Sequence, residues 1–316
     1  MITEFILQNK SSNKSVKFGM NIDCDYLYSE DGGIDWGNVP AEHNTYSYPN
    51  QFGSTISNTK IQNRDITITG FVFYVLSDDE RSLYPREEWQ SYAYNKMKDK
   101  KGVLNTLINP QDYVRLTIGN YYIEGKPSAT PKYGITDEDN NVYFCEFMIE
   151  IFCDNPMFRK IIESQTILSG DTGTLHFPFI IEPDDYIFGT RINYLMLIVE
   201  NEGNAKIGGK ITLLAKGVIQ NPEIENISTG ETIKINKTMQ PGEKIIINTS
   251  DGEAKGIVGI YNGVESDYLQ YWDFENDWFK FDPGTNVIGY STENQSETYL
   301  EIFIDLNPEK YGLEDM

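Results

Sequence analysis

His43 and His176 are the only histidines in the sequence, so a general base working near neutral pH would have to be one of them. Neither stands in a pattern that uses one. His43 lies in a polar stretch between Pro40 and Tyr46, and His176 between Leu175 and Phe177, where a half-buried core position is expected. There is no GxSxG, HExxH, P-loop or GxGxxG, and a lone histidine lacks the second ligand that a zinc site requires. Carboxylates are plentiful, and two of them suffice for glycoside hydrolysis. The groups to inspect are Glu146 with Glu150, and Asp273, Glu275 and Asp277. The first pair is better explained as alternate strand positions facing water. The second falls in YWDFENDWF at 271–279, which mixes aromatics with acids as sugar-contacting loops do. A β-edge packing Trp272 and Phe274 inward gives the same pattern, and packing is the preferred reading. Asp137, Glu138, Asp139, Asn140 and Asn141 offer oxygens without the spacing, glycine and terminal glutamate of a calcium loop, so a solvated hairpin tip is expected. No catalytic, cofactor-binding or metal-ligating residue is assigned, no cofactor is expected, and the chain reads as a non-enzyme.

The elements that would position such groups are mostly strands. In VYFCEFMIEIFC at 142–153 the positions Tyr143, Cys145, Phe147, Ile149, Ile151 and Cys153 are all apolar, while Glu146 and Glu150 fall on the other face. That predicts a long strand with one buried side. At ~3.3 Å per residue Cys145 and Cys153 are ~26 Å apart, far beyond disulfide reach, so both are expected as small buried hydrophobes. RDITITGFVFYV at 64–75 alternates and then becomes apolar on both faces, as a strand central to a sheet does. Val114, Leu116 and Ile118 lead into Gly119-Asn120 and out through Tyr121, the signature of a two-residue hairpin. From Pro85, the residues Trp89, Tyr92, Ala93 and Met97 recur at helical spacing, and Lys98, Lys100, Lys101 and Gly102 are read as the helix end. The Trp89 stripe is expected to pack on a sheet. In the second half, Asp251-Gly252, Asn262-Gly263 and Pro283-Gly284 separate short β-rich runs, and Leu300, Ile302, Ile304 and Leu306 alternate inward, which reads as a sandwich or open barrel.

A chain of 316 residues exceeds what one core usually serves, which favours two domains. Asn155-Pro156 and the glycine- and proline-bearing stretch 170–189 place the boundary near residue 160, giving domains 1–160 and 161–316. The 48 acidic and 26 basic residues leave a net charge of −22, which argues against holding a nucleic-acid backbone or an anionic membrane surface. The N-terminus lacks the basic and apolar regions of a secretion signal, so synthesis and folding in a cytoplasm are expected. The most apolar run, YLMLIV at 194–199, is far shorter than the ~20 residues that span a bilayer.

The order of these features resembles the distal tail proteins of phages with long flexible tails. Over 1–160 the resemblance is carried by FIL at 5–7, RDITITGF at 64–71, the helix from Trp89, Gly102 to Asn109-Pro110, and CEFMIEIFCDNPMF at 145–158. In the second half it is carried by NEGN at 201–204, AKGVIQNP at 215–222, TGE at 229–231 and GEKIIINT at 242–249. The resemblance implies a mostly β protein: an N-terminal tail-tube-like β-sandwich or split barrel with one helix, and a C-terminal galectin-like β-sandwich. It implies a structural virion component at the tail tip, assembled in the host cytoplasm as a homohexameric ring. The implied partners are the tail tube protein, the tail-tip hub and the receptor-binding protein, with DNA passing through the lumen unbound. A carbohydrate-binding host-attachment module is the alternative reading.

Overall fold

The two long alternating segments become adjacent strands of a β-barrel in the computed structural model, which describes residues 4–21, 23–28, 33–134, 144–161, 164–168, 196–251, 254–274 and 278–313. The chain divides into a first unit, Met1–Ile161 with Tyr311–Met316, and a second, Ile162–Lys310. In the first unit the strands are β1 (Glu4–Asn9), β2 (Ser15–Gly19), β3 (Tyr26–Tyr28), β4 (Ile34–Asp35), β5 (Ala41–Tyr46), β6 (Thr55–Ile61) and β7 (Arg64–Phe73). Helices α1 (Asp78–Leu83) and α2 (Trp89–Leu107) follow, then β8 (Val114–Ile118), β9 (Tyr121–Pro127), β10 (Lys132–Tyr133), β11 (Phe144–Cys153) and β12 (Phe158–Lys160).

The barrel runs β11-β7-β3-β2-β1-β8-β9 and closes where Ile151 and Phe152 of β11 pair with Pro127 and Lys126 of β9. Closure leaves few free edges. The alternation is met position by position, since Cys145, Phe147, Ile149, Ile151 and Cys153 are buried and Glu146 and Glu150 lie on the outer face. Opposite them Ile66 and Ile68 are buried on β7, and the interior fills with aromatics: Phe5 stacks on Phe18 at 4.8 Å, and Phe18 on Tyr26 at 5.2 Å. Gly70 is required where β3 crosses β7, because a Cβ there would come within 2.3 Å of the Leu27 carbonyl oxygen. Gly119, at φ +53°, makes the turn between β8 and β9.

Two expectations about the helix need correction. It does not stop at Gly102 but continues to Leu107, because Leu104 and Leu107 beyond the glycine are buried in the core. Their burial outweighs the ~1 kcal/mol helical cost of glycine. The buried stripe is Ala93, Met97, Leu104 and Leu107, whereas Trp89 lies off it and donates its indole N–H to the Tyr84 carbonyl at 3.0 Å. A second, short helix, α1, buries no residue at all.

The second unit holds β13 (Ser164–Leu168), β14 (Met196–Asn201), β15 (Lys210–Ala215), β16 (Ile219–Gln220), β17 (Glu223–Asn226), β18 (Glu231–Lys234), β19 (Thr238–Met239), β20 (Lys244–Asn248), β21 (Gly256–Tyr261), β22 (Val264–Asp267), β23 (Gly284–Ser291) and β24 (Leu300–Leu306). Their order is β13-β24-β15-β20-β21-β22 in one sheet and β14-β23-β17-β18 in another, the sandwich expected of this half. One sheet buries Ile211, Leu213, Ile245, Ile247, Ile302 and Ile304, the other Val199, Ile224, Ile233 and Ile288. Buried asparagines on the second sheet tie its loops down. Asn201 donates to the carbonyls of Ala205 and Phe281, and Asn286 to those of Asp282 and Gly284, so loop backbone is satisfied where strand pairing ends. Among the described residues no helix is long and apolar enough to cross a membrane.

Candidate interaction surfaces

The residues with chemical potential are scattered. His43 sits on β5 with its Nδ1 2.9 Å from Thr59 Oγ1 on β6, fully in solvent. Glu146 and Glu150 share the outer face of β11. The three cysteines are free and buried, and burial pushes the Cys153 thiol up to about 12, which leaves it inert. His176, Tyr143, Glu275, Asp277, the oxygen-rich run 137–141 and the stretch 170–189 lie outside the described residues. Among the described residues no three His, Cys, Asp or Glu side chains are grouped to hold a metal.

What the structure brings forward instead are surfaces. Among the described residues, strands β5 and β6 pair only with each other, and every residue in both is exposed. The arm spans ~20 Å at ~3.3 Å per residue and carries Tyr46, Tyr48, Phe52, Ile56 and Ile61 in solvent. Its tip is closed by its own bonds: Gln51 N–H donates to the Tyr48 carbonyl, Gln51 Nε2 to Thr55 Oγ1, and Tyr46 meets Tyr48 edge-on at 5.4 Å. Over 41–61 the only Asp, Glu, Lys or Arg residues are Glu42 and Lys60. The arm was not anticipated, because strict alternation marks strands with one buried face, and here neither face is buried.

A second projection is the segment from Val75 to Trp89. Its helix α1 is pinned through one carboxylate, as Glu80 accepts hydrogen bonds from the hydroxyls of Tyr74 and Tyr92 and closes a capping box with Ser77. The Tyr74 hydroxyl first, then the Ser77 backbone N–H and the Tyr92 hydroxyl, hold the Glu80 carboxyl at about 2. A carboxyl depressed in the folded state contributes above its ordinary range and loses that contribution as pH falls towards 2. We therefore expect hydrogen exchange in α1 to accelerate as pH falls from about 4.5 towards 2, after correction for the intrinsic pH dependence, while β7 and β11 stay protected. Glu80→Gln should reproduce the loosening at neutral pH. Unchanged protection in both cases would show that the carboxylate does not pin the helix.

In the second unit the aromatic run is only partly packed. Trp272 lies tilted against Trp278, with ring centroids 4.3 Å apart, and against Phe274 at 5.2 Å. Phe274, expected inside, is 69% exposed: among the described residues strand pairing here is limited to a single bridge between Ile235 and Trp272, and Phe274 lies in the turn that follows it. The indole Nε1 of Trp272 is buried without a hydrogen-bond partner.

Residues 202–303 match the model of the siphovirus-type tail component, C-terminal domain. No curated protein matches the chain. The structure of the phage SPP1 Dit protein, described as a paradigm of the hub adsorption apparatus in phages infecting Gram-positive hosts, superposes with a TM-score of 0.59 at 11% identity, covering 96% of this chain and 98% of that one. Chains in two structures of the phage p2 baseplate in its activated conformation, with Ca and with Sr, give TM-scores of 0.39 and 0.40 at 11% identity, covering 96% and 97% of this chain and 98% of each of those chains. The chain thus resembles the C-terminal domain of the siphovirus-type tail component over residues 202–303, and carries over nearly its whole length the fold of the phage SPP1 Dit protein.

Proposed function

We propose that the chain is the structural distal tail component of a siphophage, with six copies closing into a ring that joins the tail tube to the tail-tip hub. The observation that carries this is the β5–β6 arm. A two-stranded hairpin alone in water is marginal at best, and this one has no buried residue in its own subunit. A neighbouring copy supplies the missing surface. The arm's two opposite charges suit that role in a chain of net charge −22, where an acidic projection would be repelled by the copy it meets. The same surplus suits a lumen through which DNA slides unbound, since carboxylates repel phosphate. The virion's tail tip is the site of action, after assembly in the host cytoplasm, with the tail tube protein, hub and receptor-binding protein as neighbours. Light scattering and negative-stain imaging of the purified protein test the reading. Six-fold rings support it, and a monomer that persists at high concentration and in the presence of tube and hub proteins refutes it.

A second reading, saccharide contact by the outer domain, is favoured by exposed Phe274 beside Trp272 and Trp278. It predicts saturable binding to host cell-wall polysaccharide, measured by calorimetry, that falls at least about tenfold in Trp272→Ala or Trp278→Ala, in line with the stacking energies of aromatic platforms. No binding by the wild-type protein removes this reading.

A further inference from the structure

The stem of the β5–β6 arm has two unlike faces. Alternation and register place Ala41, His43, Thr59 and Ile61 on one face and Glu42, Asn44, Asn58 and Lys60 on the other, where Glu42 stands directly across from Lys60. Both charges of the arm are thus on the second face, and Glu42 also accepts a hydrogen bond from Gln62 Nε2 at 2.6 Å. The first face carries no charge. Its histidine holds Nδ1 2.9 Å from Thr59 Oγ1. Within the subunit both faces meet solvent. A contact distinguishes them, because the buried centre of an interface is depleted of charge and its rim is polar.

We infer that the arm lies on the next copy with its His43 face inward and that His43 is uncharged when it does so, which makes ring closure sensitive to pH. The inference rests on the self-assembly reading above and adds to it which face is covered and what switches the contact. Identical copies bring one arm and one covering surface each, so the contact repeats head to tail with neither left over. Histidine is the side chain that changes charge between pH 5 and 8. On the His43 face stand Ala41, Thr59 and Ile61, none of them ionisable, while Glu42 and Lys60 project from the opposite face. Glu42 is the only carboxylate of the arm, so neither strand offsets an imidazolium that the contact covers, and burying that charge uncompensated is costly. The covered state therefore favours the neutral ring. Docking is fully supported above the histidine range and weakens as pH falls through it.

The test follows assembly of the full chain by mass photometry from about pH 8 to about pH 5.5, a range above that in which ordinary carboxyls titrate. Wild-type assembly should weaken about tenfold per contact, the most that one proton per arm supplies about one pH unit below an ordinary histidine pKa. His43→Gln, which takes up no proton, should assemble equally, within about threefold, at the two ends of the range. Two further variants place a fixed charge on either face. Ala41→Lys should assemble at least about tenfold more weakly at pH 8, whereas Asn44→Lys should stay within about threefold of wild type. All three positions are exposed, so circular dichroism and melting should match wild type. A wild type whose assembly is unchanged or strengthened by acid overturns the switch. So does a pH response that persists in His43→Gln, which would assign it to His176, the other histidine. Equal losses in Ala41→Lys and Asn44→Lys overturn the choice of face. In each of these cases rings still form at pH 8 and self-assembly stands, while a wild type that assembles at no pH overturns the self-assembly reading itself.

Discussion

Replacing residues 42–60 by a short Gly-Asn turn should abolish ring formation and leave the melting temperature of the subunit unchanged. Nothing in β5 or β6 is buried, so their removal opens no cavity and orphans no core group. The expected stability change is within the ~0.5 kcal/mol typical of surface substitutions away from packed features. In the assembly the balance is different. Burying Tyr46, Tyr48, Phe52 and Ile56 at a rate of ~25 cal/mol per Å² of apolar surface supplies several kcal/mol per contact, and a ring of identical contacts multiplies the loss. Scattering and melting measured on the same preparation decide the matter. A deletion variant that still forms rings would show that the arm is dispensable. One that melts well below wild type would show that it packs on its own subunit after all. Phe52→Ala should give the same sign with a smaller effect, because the other arm residues remain.

How much of this was legible follows from one physical distinction. Alternation reports a strand with one dry face, and the segments at 64–75, 114–124, 142–153 and 299–306 all pair dry and wet faces. Wherever such segments are described, the structure reproduces the buried positions, down to Leu300, Ile302, Ile304 and Leu306. The arm has two wet faces and so left no alternation to read, and its signal was a run of aromatic and amide residues with almost no charge. Helix α2 was legible in its existence but not in its extent, since Gly102 is a stop signal only when nothing apolar lies beyond it, and Leu104 and Leu107 do. Phe274 faces outward because the run at 271–279 forms no continuous strand: among the described residues its one pairing is the bridge from Ile235 to Trp272, across 37 positions of sequence that no local window contains, and a turn follows. Likewise, nothing near Tyr311 announces that the chain there counts with the first unit.

That last feature carries the second large prediction. Arg64 on β7 is 2% exposed, its guanidinium lies 4.8 Å over the Phe158 ring, and one terminal nitrogen donates to the Tyr311 carbonyl. Its Nε is buried without a partner, and burial lowers its pKa. The Tyr311 carbonyl is thus a hydrogen-bond acceptor for a charge that water scarcely reaches. Ending the chain at Lys310 removes that acceptor, and a buried charged donor left unmet costs about 3 kcal/mol. Arg64→Met should cost about 1 kcal/mol or less, because a side chain of similar length keeps most of the packing on Phe158 while the desolvation of the charge disappears. Ending the chain at Lys310 in the Arg64→Met background should then cost only about 1 kcal/mol, for the partial packing of Leu313 on the core. The two changes are therefore coupled by about 3 kcal/mol, well beyond the ~0.5 kcal/mol scatter of independent sites. Because the chain has two units, the loss should be read locally, as hydrogen exchange of β7 and β11 amides under mild urea. If the truncation costs those amides the same whether or not the arginine is present, the guanidinium is not what holds the returning segment on the barrel.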